Sequence, residues 1–136
     1  MSKKQPNPKF SESISDILRM MDDAVKDYSW HESQISVMDR MTQDYLHSLE
    51  LNDLDYKERA KIATKLSKCR QERRIHKDMV DNLMPLVTFL TSDKGKQMTN
   101  TMRETLGKTR KIENYMETRR YYPRVLNEPV IYANDN

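Results

Sequence analysis

The chain has 136 residues and a formal net charge of +3, with 36% hydrophobic and 33% charged residues. This length suits a single domain, and so few apolar residues exclude a thick globular core and favour long helices that share a narrow apolar seam. No stretch approaches the roughly 20 apolar residues of a membrane span.

The N-terminal segment 1–10 carries three lysines and two prolines but almost nothing to bury. We therefore predict that it is disordered. It lacks the apolar core of a signal peptide, and the single cysteine, Cys69, cannot form an intramolecular disulfide. A reducing cytoplasm is the expected location.

Residues 11–50 show apolar positions in steps of three and four, which predict the first helix. The stripe shifts near Ser29, where Ser29 and Glu32 match a capping box. Two interpretations follow: a continuous helix, or two helices that meet at Ser29. The absence of Gly and Pro from this stretch favours the continuous helix.

The second helix is predicted at 56–91, because Asp55 and Glu58 form an N-cap pattern after a short turn. Cys69 occupies a seam position and is interpreted as a small buried side chain. Pro85 is expected to kink the helix or to tighten its backbone near its end.

Two polar residues, Arg73 and His76, also occupy seam positions of this helix. One interpretation pairs them with carboxylates of the first helix, such as Asp39 or Asp44, which would set the register of the two helices. The other rotates the seam so that both residues face solvent.

A third helix is predicted at 93–121, capped by Ser92 and Asp93. Gly107 in its middle indicates close packing or a local bend, since glycine costs about 1 kcal/mol against alanine inside a helix. The segment 122–136 is predicted to be an extended tail that docks on a surface.

These elements predict an all-α fold: an elongated, antiparallel, coiled-coil-like bundle of about three long helices within 11–121. Short connections favour antiparallel neighbours. Because a slim bundle buries little apolar surface alone, we expect a homodimer.

The three helices differ in charge: the net values are −6 for 11–50, +5 for 56–91 and +4 for 93–121. One interpretation is internal complementarity between the acidic helix and the basic ones. The other is a basic surface that binds an acidic protein or nucleic acid. The candidate binding residues of the second helix are Lys61, Lys65, Lys68, Arg70, Arg74 and Lys77.

A second candidate cluster interleaves basic and aromatic side chains: Arg119, Arg120, Tyr121, Tyr122 and Arg124. Such interleaving suits stacking on nucleic-acid bases. The alternative is structural, with the tyrosines anchoring the helix end and the arginines interacting with its last carbonyls.

No constellation of catalytic, cofactor-binding or metal-binding residues is recognisable. The three histidines, His31, His47 and His76, are far apart in the sequence and have no cysteine partners. Asp44-x-x-His47 resembles half of a di-iron motif, but the second half is absent. Two glycines do not suffice for a phosphate-binding loop. We therefore predict a protein that is not an enzyme and needs no cofactor.

Three segments between residues 40 and 126 resemble small helical proteins of phages and prophages of Gram-positive bacteria. They are Asp44 to Leu51, Cys69 to Asp78 with the preceding Glu58-Arg59-Ala60, and the Arg-Arg-Tyr-Tyr-Pro-Arg-Val-Leu ending. The resemblance implies a phage-encoded accessory protein in the cytoplasm of the host cell, and it implies no site residues.

The predicted function is that of a non-enzymatic accessory protein that binds and modulates a host or phage protein through its helix faces. The alternative is a nucleic-acid-binding accessory protein that uses a basic helix face. A membrane is not an expected partner. The acidic first helix favours the protein partner, because it would repel nucleic acid along much of its length.

Overall fold

The computed structural model describes residues 9–125. They form three α-helices, α1 (Phe10–Leu51), α2 (Tyr56–Thr91) and α3 (Asp93–Thr118), and no strand. The all-α class and bundle-like helix packing are thus confirmed. None of the helices in this range is apolar over enough of its length to cross a membrane.

The first helix runs through Ser29 without interruption, as the absence of Gly and Pro favours. Within it, the Ser33 hydroxyl donates a hydrogen bond to the Trp30 carbonyl. The capping-box pattern at Ser29 and Glu32 therefore lies inside a helix and starts none. Forty-two residues of α1 form one element.

The start of α2 is capped as predicted. The Asp55 carboxylate accepts a hydrogen bond from the Glu58 N–H at 2.8 Å, which satisfies one of the free donors of the first turn. At the other end, the Ser92 N–H donates to the Phe89 carbonyl. Pro85 is inside the helix, which continues through it to Thr91.

The helical chain forms two compact units. Unit 2 spans 21–94 and contains most of α1 together with α2. These two helices are antiparallel, since Met38 of α1 contacts Cys69 while His31, two turns earlier, contacts His76. The buried side chains of unit 2 are Met21, Ala24, Met38, Cys69, Val80, Val87 and Leu90.

Of the described residues, unit 1 contains the start of α1, up to Met20, and the segment 95–125. Its helices are held together by polar contacts at the start of α1. The Ser11 N–H donates to the Glu113 carboxylate at 3.0 Å, and the Lys9 ammonium lies 3.1 Å from the Glu117 carboxylate. Leu106 is the buried large apolar residue of this unit.

The end of α3 is Thr118, three residues before the predicted end at 121. The predicted close packing at Gly107 is not found among the described residues, because a Cβ built there would meet nothing within 4 Å, and α3 runs through Gly107 without interruption. The predicted disordered segment 1–10 lies outside the described residues up to position 8, with Phe10 already helical. The predicted tail 122–136 lies outside them from position 126.

Candidate functional site

The second helix carries two stripes of side chains on different faces. The first is the buried seam against α1, which contains Cys69, Val80, Val87 and Leu90. The second, which we call the outer stripe, follows steps of four and three residues along the solvent side of α2. It consists of Lys61, Lys65, Lys68, Glu72, Ile75, Met79, Asn82, Leu86 and Phe89.

The C-terminal half of the outer stripe exposes large apolar side chains. Ile75 is 61% exposed and Phe89 is 42% exposed, whereas Val80 on the neighbouring face is only 4% exposed. Met79 is also exposed, and Leu86 is half-buried. Steps of four and three residues are the spacing of a coiled-coil seam, so α2 has a second apolar seam that faces solvent.

The N-terminal half of the outer stripe is basic. Lys61, Lys65 and Lys68 are exposed, and within residues 9–125 none of them has an ion-pair partner. With Ala60 and Thr64 they line an open surface depression of about 370 Å³. The structure therefore gathers three of the predicted binding residues on one face, with their charges uncompensated.

The other three predicted residues of α2 have carboxylate partners. Arg74 and Lys77 pair with aspartates one turn later in α2, at 4.0 and 3.2 Å. Arg70 lies 3.6 Å from Asp39 of α1. These three are less suited to bind a partner than the three lysines.

Asp39 of α1 makes polar contacts with α2. Its Oδ1 accepts a hydrogen bond from the Nε of Arg73 at 2.6 Å, as in the first of the two interpretations of Arg73, which paired it with a carboxylate of α1. Among the described residues, Asp39 is the only carboxylate of α1 in an ion pair with α2. Internal complementarity between the two helices is thus local and leaves most charges of both to solvent.

The second predicted cluster lies in unit 1, just after α3. Tyr121 and Tyr122 are 50% and 72% exposed, and Arg124 is exposed too. Arg119 and Arg120 are exposed and also take part in contacts.

A group of three rings in unit 2 was not predicted. His76 meets His31 of α1, with their Nδ1 atoms 2.8 Å apart. The Trp30 ring lies edge-on to both, with centroids 4.9 Å from His31 and 5.4 Å from His76. His76 thus bonds to a histidine and not to the carboxylates considered from the sequence.

A signal for this pair was present in the sequence. His76 occupies a seam position of α2, and His31 follows Tyr28 and precedes Ile35 at helical spacing along the stripe of α1. The sequence does not specify the axial register of α1 against α2. That register brings residues 45 positions apart into contact.

Cys69 is buried, as predicted, at 4% exposure. Its thiol donates to the Met38 carbonyl at 3.3 Å. Burial against α1 removes it from solvent, where a nucleophilic cysteine would need to be. Over residues 9–125, no group of three or more His, Cys, Asp or Glu side chains is arranged to hold a metal ion.

Comparison with known proteins adds no relative to these observations: the chain matches no protein-family model, and no curated protein or solved structure matches it significantly.

Proposed function

We propose that this chain is a non-enzymatic accessory protein that binds a helix of another protein along the outer stripe of α2. The observation that carries the proposal is the exposed apolar half of that stripe, from Ile75 to Phe89. Exposed apolar surface in a continuous patch is typical of a protein-interaction site.

The spacing of the stripe indicates the kind of partner. Alternating steps of three and four residues place the side chains of the stripe along one line on the helix surface. A partner helix can pack against such a line by inserting its own side chains between them, as in knobs-into-holes packing. Asn82 interrupts the apolar line between Met79 and Leu86. A polar residue at such a position selects register and partner at some cost in affinity.

The charge of the stripe indicates the chemistry of the partner. Its N-terminal half presents Lys61, Lys65 and Lys68 without compensating carboxylates in the described chain. A partner helix that is apolar along one half and acidic along the other would match both halves. Such charge complementarity raises association rates and rejects basic partners.

The phage-type origin and the location in a bacterial host cytoplasm belong to this proposal. They are supported by the sequence resemblance and by the single, buried cysteine. Modulation of the bound protein, by covering the surface to which the helix belongs, is the expected consequence of binding.

The experiment uses a photo-crosslinking residue placed at Ile75 or Phe89 in the cells that produce the chain. The matched control places it at Met84, which is 41% exposed and lies about half a helical turn from Ile75 by residue spacing. We expect crosslinks to one protein from the outer stripe and none from Met84. The partner is then purified.

Binding of the purified partner decides the proposal. The change Ile75→Glu should raise the dissociation constant at least about tenfold, because a central apolar anchor is lost, and Met84→Glu should not change it. Equal crosslinking from Met84, or equal effects of the two substitutions, would contradict the proposal. Crosslinks only to a second copy of the chain would replace it by a homodimer.

Nucleic-acid binding is the second candidate, favoured by the unpaired lysines. If it is correct, the affinity for DNA or RNA falls steeply with salt, and each lysine that contacts a phosphate contributes about 0.9 to the logarithmic slope. Charge reversal at Lys61, Lys65 and Lys68 should flatten that slope, while Arg74→Glu, at a residue already paired with Asp78, serves as the control. Absence of binding at low salt would exclude this function.

A further inference from the structure

We propose that His31 and His76 form a binding site for a divalent transition-metal ion, preferentially Cu²⁺, that links α1 to α2. The site is independent of the outer stripe. It rests on the 2.8 Å separation of the two Nδ1 atoms, which belong to helices that approach each other in unit 2.

The separation matches what a metal ion requires. Two neutral imidazoles that form a hydrogen bond share one proton between a donor and an acceptor nitrogen. A metal ion held at about 2.0 Å from each nitrogen places them about 2.8 Å apart at a right angle, or about 3.3 Å apart in tetrahedral geometry. The shared proton lies on the line between the two nitrogens, whereas the ion lies to one side of that line, so each ring must turn to aim its lone pair at the ion while the nitrogens separate by at most about 0.5 Å.

The ligand set determines the class of ion. Imidazole nitrogens suit Cu²⁺, Ni²⁺ and Zn²⁺, and Cu²⁺ binds most strongly in that series. The right-angle separation also fits the tetragonal geometry that Cu²⁺ and Ni²⁺ prefer. Because the described residues contain no third ligating side chain beside the pair, water completes the coordination.

The electrostatic surroundings tolerate a cation. The three basic residues nearest in sequence to His76 are each paired with a carboxylate: Arg73 with Asp39, Arg74 with Asp78, and Lys77 with Asp81. Both histidines are half-buried rather than enclosed, so an ion can enter with its remaining water ligands.

Trp30 provides a fluorescence signal for metal binding at this site. It is the only tryptophan in the chain, and its ring lies within 5.4 Å of both imidazole centroids. Cu²⁺ bound between the two histidines should quench its fluorescence strongly, whereas diamagnetic Zn²⁺ should occupy the site with much less quenching.

The experiment titrates the full, untagged chain with Cu²⁺ and follows the Trp30 fluorescence. We expect saturation at one ion per chain. His31→Ala and His76→Ala should each raise the dissociation constant at least about tenfold, since removal of even an outer-shell partner commonly costs 10- to 100-fold. The matched control is His47→Ala, because His47 is an exposed histidine of the same helix α1.

Two further measurements keep the result decisive. Zn²⁺ should raise the melting temperature of the wild type and of His47→Ala, but not of the other two variants, because binding to the folded state alone stabilises it. Electron paramagnetic resonance of the Cu²⁺-loaded wild type should count two imidazole nitrogens, and it decides the question if the alanine variants fail to fold. Fewer than two imidazoles, or an equal loss of affinity in all three variants, would show an adventitious ion only and overturn the proposal.

Discussion

Asp39 is the residue on which the polar contact between α1 and α2 depends. It accepts a hydrogen bond from Arg73, whose side chain is only 23% exposed, and it also lies near Arg70. A guanidinium that loses its only carboxylate while partly withdrawn from water loses a charged hydrogen bond and keeps its desolvation cost.

We expect Asp39→Asn to lower the free energy of unfolding by about 1–2 kcal/mol, measured by urea denaturation. The control is Asp78→Asn, which removes the exposed partner of Arg74 within α2. It should cost less than about 0.5 kcal/mol, as exposed pairs one helical turn apart do. Equal effects of the two changes would show that the Asp39 contact contributes no more than a surface ion pair.

Glu113 of α3 caps the N-terminus of another helix, α1. Hydrogen bonds from the Ser11 hydroxyl and the Ser11 backbone N–H lower the pKa of the Glu113 carboxyl. Its negative charge lies at the start of α1, where the helix dipole and the free N–H groups favour an anion.

A lowered pKa in the folded state means that the ionised carboxylate is bound more tightly than the protonated form. The stabilisation is thus fully present above the unfolded-state pKa, near about 4.3, and is lost as the pH falls through the folded-state pKa. We expect Glu113→Gln to lower the melting temperature at pH 7, and this effect to shrink as the pH falls below the unfolded-state pKa and to vanish below the lowered folded-state pKa. Glu104→Gln, at an exposed position of α3, should leave the melting temperature unchanged at both pH values.

At the scale of the element, α3 contains a glycine that lowers its helix propensity. Gly107 is exposed, its φ is not in the left-handed region, and a Cβ atom would meet nothing within 4 Å. Gly107→Ala should therefore raise the free energy of unfolding by about 1 kcal/mol, through helix propensity and a smaller unfolded-state entropy. Thermal unfolding followed by circular dichroism measures it, and a decrease would mean that the position contacts something that the isolated chain does not contain.

The second helix carries apolar side chains on two of its faces. Its seam residues Cys69, Val80 and Val87 are buried against α1, whereas Ile75 and Phe89 on the outer stripe remain exposed. A helix that is apolar on two faces is normally covered on both. The outer stripe of α2 is therefore the surface on which the proposed partner helix would pack.

At the scale of the whole molecule, the two units differ in how much apolar surface they bury. Unit 2 buries seven hydrophobic residues, among them Met38, Val80 and Leu90, whereas Leu106 is the one buried hydrophobic residue described in unit 1. We expect amide hydrogen exchange to be slowest around Cys69–Leu90 and faster throughout α3, since local opening is easiest where few apolar contacts resist it. Uniform protection of all three helices would show instead that the chain unfolds as one cooperative body.

Local features of the sequence were sufficient to predict the helices. The bounds of α2 follow from the Asp55 cap and the break after Thr91, and the continuity of α1 follows from the absence of Gly and Pro. The end of α3 was predicted three residues late, because Arg119 to Tyr121 contain no residue that stops a helix. For Arg73, the sequence offered carboxylates of α1 such as Asp39 or Asp44 as partners and left open that the residue faces solvent.

The sequence predicted the candidate binding residues less completely than it predicted the helices. Six basic residues of α2 were equivalent in the sequence, and the structure separates the three unpaired lysines from Arg70, Arg74 and Lys77, which have carboxylate partners. Ile75 and Phe89 lie at heptad spacing from Lys61 and Lys68, so the sequence alone could have placed these residues on one face of α2. The spacing alone does not say which of two seams faces α1.

The sequence by itself determined that this chain is helical, where its helices begin, and that α1 is acidic while α2 and α3 are basic. These properties depend on interactions within about four residues and on composition. Only the tertiary structure decided that His31 meets His76, that Glu113 caps α1 and that Lys61, Lys65 and Lys68 have no ion-pair partner within residues 9–125. Each of these depends on the rotation and axial register of one helix against another, which no local pattern specifies.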